Sequence, residues 1–154
     1  MTENASIFDE IRLAFDEGGS RKARLERIAE VIRAAGKYRW VGIYEVMGGD
    51  IAAIAWSGPG PPAHPRFPVT QGLCGDAVSR GQTVLVPDVT RDARYLTTFG
   101  STRSEIVVPI LDPRTGRALG TVDVESEKTD AFGEEDRTFL ERCATELASR
   151  EFSG

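Results

Sequence analysis

Three acidic residues on two neighbouring strand-like segments are the part of this sequence best suited to chemistry. Glu105 lies on the segment before a turn at 112–117, and Asp123 and Glu125 lie on the segment after it. The turn is rich in turn-forming residues and favours an antiparallel hairpin. Because strand side chains alternate between faces, Asp123 and Glu125 point the same way. If Glu105 shares that face, three carboxylates converge, which is costly unless a cation, a shared proton or water relieves the repulsion.

Solvation at an exposed sheet edge is the ordinary alternative for these acids. For Glu125, near a strand end, solvation and a binding role fit equally well. Asp123 stands between Val122 and Val124, and an acid in the middle of an apolar strand usually has a partner. We therefore predict that Glu105 and Asp123 point into one cavity.

An aromatic pair is the second candidate for binding. Trp40, Gly42 and Tyr44 share one face of a predicted strand from Arg39 to Val46. Gly42 leaves a predicted slot between the two rings that suits a thioether, a methyl group or a cation. Ordinary core packing of large aromatic side chains is the alternative. The nearby acids favour the pocket.

Cys74 is the candidate nucleophile. It lies just inside a predicted helix from Gly72 to Arg80, where the helix dipole can lower the pKa of a thiol, although a buried structural cysteine is the commoner case. Cys143, the other cysteine, falls on the apolar stripe of the last helix and is predicted to be core. A pair of Cys74 with His64 has no identifiable third residue to orient it, and a histidine in a Pro-rich loop is usually solvated.

Composition narrows the remaining classes of function. Two cysteines without a CxxC pair and a single histidine disfavour the usual zinc sites, and the spacing of Asp88 and Asp92 indicates no metal, so no metal or cofactor is predicted. A net charge of −5 at pH 7 argues against a nucleic-acid partner. No apolar run approaches the ~18 residues of a membrane span, and the N-terminus shows no signal-peptide pattern. We expect a cytoplasmic protein with no membrane partner.

The pattern of apolar residues, glycines and prolines predicts an α+β protein. The predicted elements are helices over about 5–17 and 20–35, strands at 39–46 and 51–56, an edge strand at 67–69, a helix at 72–80, a strand at 83–86, the acidic hairpin and a closing helix at 134–152. Gly36 is predicted to end the second helix. Residues 87–103 form a long irregular segment, and such segments are often binding lids.

A single domain over residues 1–154 accommodates all of these elements. It comprises N-terminal helices at 1–36, the sheet and pocket loops at 37–133, and a C-terminal helix at 134–154. The expected architecture is a sandwich with a central, mostly antiparallel sheet of about six strands. The terminal helices lie on one face and a ligand pocket on the other. The same helices offer apolar faces for a homodimer.

Five segments, in order, resemble those of GAF domains, and more narrowly the branch that contains the free methionine-(R)-sulfoxide reductases. They are residues 40–44, 72–77, 86–89, 104–110 and 120–126, and the stretch at 132–136 before the last helix is also GAF-like. The resemblance implies a GAF-like sandwich with a small-molecule site under the long loop.

In those reductases an aromatic pair and three acids hold a free amino acid, and the acids surround its ammonium group. The resemblance transfers these ligand-binding roles to Trp40, Tyr44, Glu105, Asp123 and Glu125. The last is Glu where the family usually has Asp.

The same reductases use three cysteines, of which the resemblance preserves one. The cysteine of the Gly-x-Cys-Gly motif is Cys74, and the second is replaced by His64. The lid cysteine thought to carry out the chemistry is replaced by Thr98 or its neighbour Thr97. We expect His64, Thr97 and Thr98 at the lid or pocket rim. The chain keeps most of the pocket and loses most of the redox machinery.

Three functions stay open at this point. The first is a stand-alone binding or sensor domain for an amine-bearing, amino-acid-like small molecule, with no catalytic step assigned. The second is an oxidoreductase acting on free methionine-(R)-sulfoxide through Cys74, with an external thiol to resolve the sulfenic acid. The third is a GAF shell without a small ligand that serves only for dimerisation.

Overall fold

The computed structural model describes residues 2–96 and 99–152, so the predicted rim residues Thr97 and Thr98 lie outside the described residues. The helices are α1 (Thr2–Asp16), α2 (Arg21–Gly36), α3 (Gly72–Arg80) and α4 (Glu134–Leu147). The strands are β1 (Trp40–Met47), β2 (Asp50–Ser57), β3 (Arg66–Pro68), β4 (Val84–Val86), β5 (Ser104–Leu111) and β6 (Ala118–Ser126). A short 3-10 turn spans Val89–Arg91 within the long irregular segment, and a π-helical turn, Ala148–Phe152, follows α4.

The ends of α2 show where local sequence signals are sufficient and where they are not. The Ser20 side chain accepts a hydrogen bond from the Ala23 amide at 3.1 Å, which caps the helix as its residue type predicts. At the other end, α2 finishes at Gly36 as predicted, and the residue that follows, Lys37, takes the left-handed conformation with φ of 55°, which the sequence did not predict. Gly36 is required for space, because a Cβ there would stand 2.1 Å from the Tyr38 ring.

All six strands form one antiparallel sheet in the order β3-β2-β1-β6-β5-β4. The predicted hairpin is β5–β6, and its register places Glu105 opposite Glu125. On the other side of β6, strand β1 places Trp40 opposite Glu125 and Gly42 opposite Asp123. The sheet therefore carries the acids and the aromatic residues in adjacent rows of one face.

The two faces of the sheet bury different side chains. Val122 and Val124 of β6 point to the face that α2 and α4 cover, and α1 packs on α2. Asp123 and Glu125, which alternate with those valines, point to the opposite face, where α3 packs on β5 and β6. The predicted arrangement of a mostly antiparallel sheet with its terminal helices on one face is confirmed. Among the described residues, no helix has the length and apolar character needed to cross a bilayer.

Candidate functional site

The three acids converge inside the protein. The exposed fractions are 4% for Glu105, 2% for Asp123 and 1% for Glu125, and one carboxylate oxygen from each lies within 4.8 Å of the other two. The alternative of a solvated sheet edge is therefore wrong for all three residues. We call Glu105, Asp123 and Glu125 the acidic triad.

Burial makes ionisation of the triad costly. It raises the pKa of Glu105 well above the usual range of a carboxyl group, and the neighbouring Asp123 and Glu125 raise it further. Burial also raises the pKa of Asp123, although its hydrogen bonds with Glu105 and Glu125 partly lower it. Raised pKa values favour the neutral form of these carboxyl groups, and a cation beside them would favour the charged form instead.

One oxygen of the Asp123 carboxylate is unpaired. Its Oδ1 atom is buried and has no hydrogen-bond partner within the described part of the chain. The Glu125 carboxylate, by contrast, accepts a hydrogen bond at 2.8 Å from the hydroxyl group of Thr102, at the end of the long segment. A buried acceptor that is left unpaired costs about 1–3 kcal/mol, so Asp123 carries an unused capacity to bind a donor or a cation.

The aromatic pair borders the triad but encloses no slot. Trp40 and Tyr44 lie on the same face with ring centroids 6.5 Å apart, and Phe99 stacks edge-on against Trp40 at 5.4 Å. The indole N–H donates to the Gly60 carbonyl at 2.9 Å. The predicted slot over Gly42 is wrong because the indole itself lies there: a Cβ at Gly42 would stand 2.3 Å from the Trp40 ring.

This close approach makes Gly42 a sensitive position. We expect Gly42→Ala to displace the indole and to lower the free energy of unfolding by about 1–3 kcal/mol, the cost of overpacking a core. The measurement is chemical denaturation. Gly49→Ala is the matched control, because a Cβ at Gly49 meets nothing within 4 Å. Equal stability of the two variants would contradict the observed position of the indole.

A small hollow lies beside the triad. Its volume is about 20 Å³, and its walls are Tyr44, His64, Phe67, Gly72, Leu73, Cys74, Leu96, Glu105 and Asp123. That volume suits one water molecule or one ion. A larger cleft of about 720 Å³ lies between α3 and residues 93–96, and Gly72 and Leu96 border both spaces. An amino acid fits at the triad only when this shared wall moves aside.

Cys74 is buried, which matches the commoner of its two alternatives, a structural cysteine. It lies in the first turn of α3, and the Thr121 hydroxyl donates to its sulfur at 3.3 Å. Burial raises the pKa of this thiol well above its usual value, and the charge on Asp123 raises it further, which is opposite to the lowered pKa considered for a helix start. Cys143 is buried on the opposite side of the sheet, as predicted for a core residue. The two sulfurs therefore belong to separate clusters.

The remaining predicted residues lie at the margins. His64 is exposed at the mouth of the hollow. Asp88 caps the 3-10 turn by accepting from the Thr90 amide at 3.0 Å, and Asp92 accepts from Arg94. Their hydrogen bonds are used locally and not at the triad.

Sequence reasoning missed the contribution of two residues. Thr121 could have been found, because it is two positions before Asp123 on β6 and so shares its face. Thr102 gives no such signal, since its contact with Glu125 depends on the path of an irregular segment.

The GAF domain family matches this chain over residues 20–150. The chain belongs to the GAF domain family. This GAF domain is 30% identical to GAF domain-containing protein A of Dictyostelium discoideum over 118 residues, which cover 77% of the chain and 73% of the relative.

Reductases are also among its relatives. The chain is 39% identical to the free methionine-R-sulfoxide reductase of Saccharomyces cerevisiae over 74 residues, which cover 48% of the chain and only 41% of the yeast protein. The solved structure of the free methionine-R-sulfoxide reductase of Neisseria meningitidis in complex with its substrate is similar, with a TM-score of 0.84 and 30% identity, covering 96% of this chain and 87% of that one.

Proposed function

We propose that this GAF domain binds a free amino acid or a similar small molecule through its ammonium group, with the acidic triad as the ammonium site. The observation that carries the proposal is the convergence of three buried carboxylates, one of which presents an unpaired oxygen. An ammonium group has three N–H donors and one positive charge, which match three acceptor side chains that repel each other.

The walls of the hollow indicate which end of the ligand lies where. Opposite the acids, the lining is apolar and aromatic, from Tyr44, Phe67 and Leu96. An apolar or thioether side chain fits that wall, as in methionine. A phosphate-bearing ligand such as a cyclic nucleotide fits poorly, because its charge would meet the triad. The substrate-bound reductase from Neisseria meningitidis, which has a similar fold, supports an amino-acid ligand.

The direct experiment is a screen of free amino acids, including methionine and its (R)-sulfoxide, by thermal shift and then by titration calorimetry. A ligand that binds only the native state at about 100 times its Kd adds about 2.7 kcal/mol to the stability. We expect free amino acids with unbranched apolar side chains to raise the melting temperature of the protein. If no free amino acid binds at millimolar concentration, the proposal fails and a ligand-free dimerisation domain takes its place.

The reductases among the relatives favour a second function, the reduction of free methionine-(R)-sulfoxide. The Cys74 thiolate would attack the sulfur of a bound methionine sulfoxide, and the oxygen would pass to the thiol sulfur. The products are methionine, now reduced, and a sulfenic acid on Cys74. One external thiol then forms a mixed disulfide with release of water, and a second thiol restores Cys74.

Thiol-dependent turnover decides between binding alone and reduction. If the reductase function holds, wild-type protein reduces free methionine-(R)-sulfoxide in the presence of a dithiol, and Cys74→Ser loses that activity entirely. Because burial raises the pKa of Cys74, turnover increases with pH up to the alkaline limit of the assay. Cys143→Ser is the control, since Cys143 lies in the core on the other side of the sheet. Turnover that survives Cys74→Ser contradicts this second function.

A further inference from the structure

We infer that the acidic triad, in its closed form, binds one divalent cation of the calcium type. This inference requires only the triad and does not depend on the proposed amino-acid ligand. The sequence predicted no metal site. That prediction was based on the few histidines and cysteines and on the spacing of Asp88 and Asp92, and not on the triad.

The spacing of the ligand atoms fits a calcium ion. Calcium bonds to oxygen at 2.3–2.6 Å, so two oxygens on opposite sides of one ion lie about 5 Å apart and other pairs lie closer. One oxygen from each of Glu105, Asp123 and Glu125 lies within 4.8 Å of the other two, which brings all three within reach of a single ion. Three carboxylates supply up to six oxygens if each binds through both of its atoms.

Asp123 provides an independent indication of a ligand. Its side chain is 2% exposed, its Oδ1 atom is buried without a hydrogen-bond partner within the described residues, and it lines the hollow of about 20 Å³. A space of this size holds an ion or a water molecule and is too small for an amino acid. A single cation or a single water molecule therefore satisfies both the unpaired oxygen and the volume.

The charges around the site favour a cation over a neutral occupant. The strongest charges acting on Glu105 are the two other carboxylates, and both are negative. A cation relieves this repulsion, whereas a water molecule only hydrogen-bonds to the oxygens. The ligands are all oxygen atoms, which select hard cations. Magnesium retains several of its water molecules, and the hollow has no room for them, so calcium is favoured over magnesium.

The test is titration calorimetry of the full chain with calcium chloride after treatment with a chelator. We expect one ion per chain, weaker binding of magnesium, and reversal by the chelator. Asp123→Asn should weaken calcium binding by at least about tenfold, since loss of a group that merely supports a metal ligand already has an effect of this size. Glu30→Gln, which neutralises an exposed acid on α2, should leave binding unchanged.

A second measurement does not depend on any variant. Terbium, which replaces calcium at oxygen sites, luminesces when a nearby tryptophan is excited, and Trp40 pairs with Glu125 in the sheet. We expect terbium luminescence on excitation of tryptophan, and we expect added calcium to reduce it by displacing the terbium ion. Absence of calorimetric binding at millimolar calcium, or equal binding by Asp123→Asn, overturns the inference. A protein that binds an amino acid but no calcium contradicts this inference alone, and one that binds calcium but no amino acid contradicts the proposed function alone.

Discussion

Asp123→Asn should abolish the binding of ammonium ligands. The substitution keeps the shape of the side chain but replaces one carboxylate oxygen of residue 123 with an NH₂ group and removes the negative charge that would face the ammonium group. Removing one member of a buried charge pair typically costs about 3–5 kcal/mol. Because about 1.4 kcal/mol corresponds to a tenfold change, we expect the Kd to rise by more than about 100-fold. Titration calorimetry with the best amino acid from the screen measures this change.

The control for this substitution must remove a charge without touching the site. Glu30→Gln does so, because Glu30 is exposed on α2, a helix that packs on the other face of the sheet. We expect its Kd to equal that of the wild type. A Kd that Asp123→Asn leaves unchanged would show that the triad does not hold the ammonium group.

The same substitution should stabilise the ligand-free protein, and more so at alkaline pH. The pKa values of Glu105 and Asp123 are raised by burial, whereas in the unfolded chain such groups ionise near pH 4. As the pH rises above about 4, the unfolded chain therefore loses these protons first, and the folded state loses stability until its own groups ionise. Each unit by which the folded pKa exceeds the unfolded one costs about 1.4 kcal/mol.

Asp123→Asn removes part of this cost, so its stabilising effect should be small near pH 4 and should grow toward pH 8. Urea denaturation in the presence of a chelator measures this change in the free energy of unfolding. In a thermal melt, each kcal/mol corresponds to a rise of roughly 2–4 °C in Tm for a chain of this size. Asp112→Asn provides a control of opposite sign. The Arg114 amide lowers the pKa of Asp112, so Asp112 stabilises the fold above its unfolded pKa and its loss destabilises at neutral pH. A pH-independent effect of Asp123→Asn would contradict the raised pKa values of the buried Glu105 and Asp123 carboxyl groups.

Alternation along the strands made the fold and the triad predictable. Val122 and Val124 alternate with Asp123 and Glu125, which is enough to separate the two faces of β6. The turn at 112–117 then sets the register that places Glu105 opposite Glu125. The alternation along β6 and the register of the β5–β6 hairpin depend only on residues that are close in sequence or directly paired. Both can therefore be read from the sequence.

What could not be predicted depends on irregular segments. Phe99 packs on Trp40, and Gly60 accepts from its indole, so the ring occupies the space beside Gly42 and the expected slot is filled. The pKa of Cys74 depends in the same way on surrounding elements, because their packing buries the thiol and raises its pKa. Packing across distant parts of the chain decides both outcomes, and neither hydrophobic periodicity nor turn chemistry encodes it.

The most direct measurement compares two ligands that differ only in the ammonium group. Calorimetry of the wild-type protein with L-methionine and with its des-amino analogue, which carries a hydrogen in place of the ammonium, isolates the contribution of the triad. We predict binding of the amino acid and none of the analogue, because an uncharged carbon leaves the buried carboxylates unpaired. Equal affinity for both ligands would contradict recognition of the ammonium group by Glu105, Asp123 and Glu125.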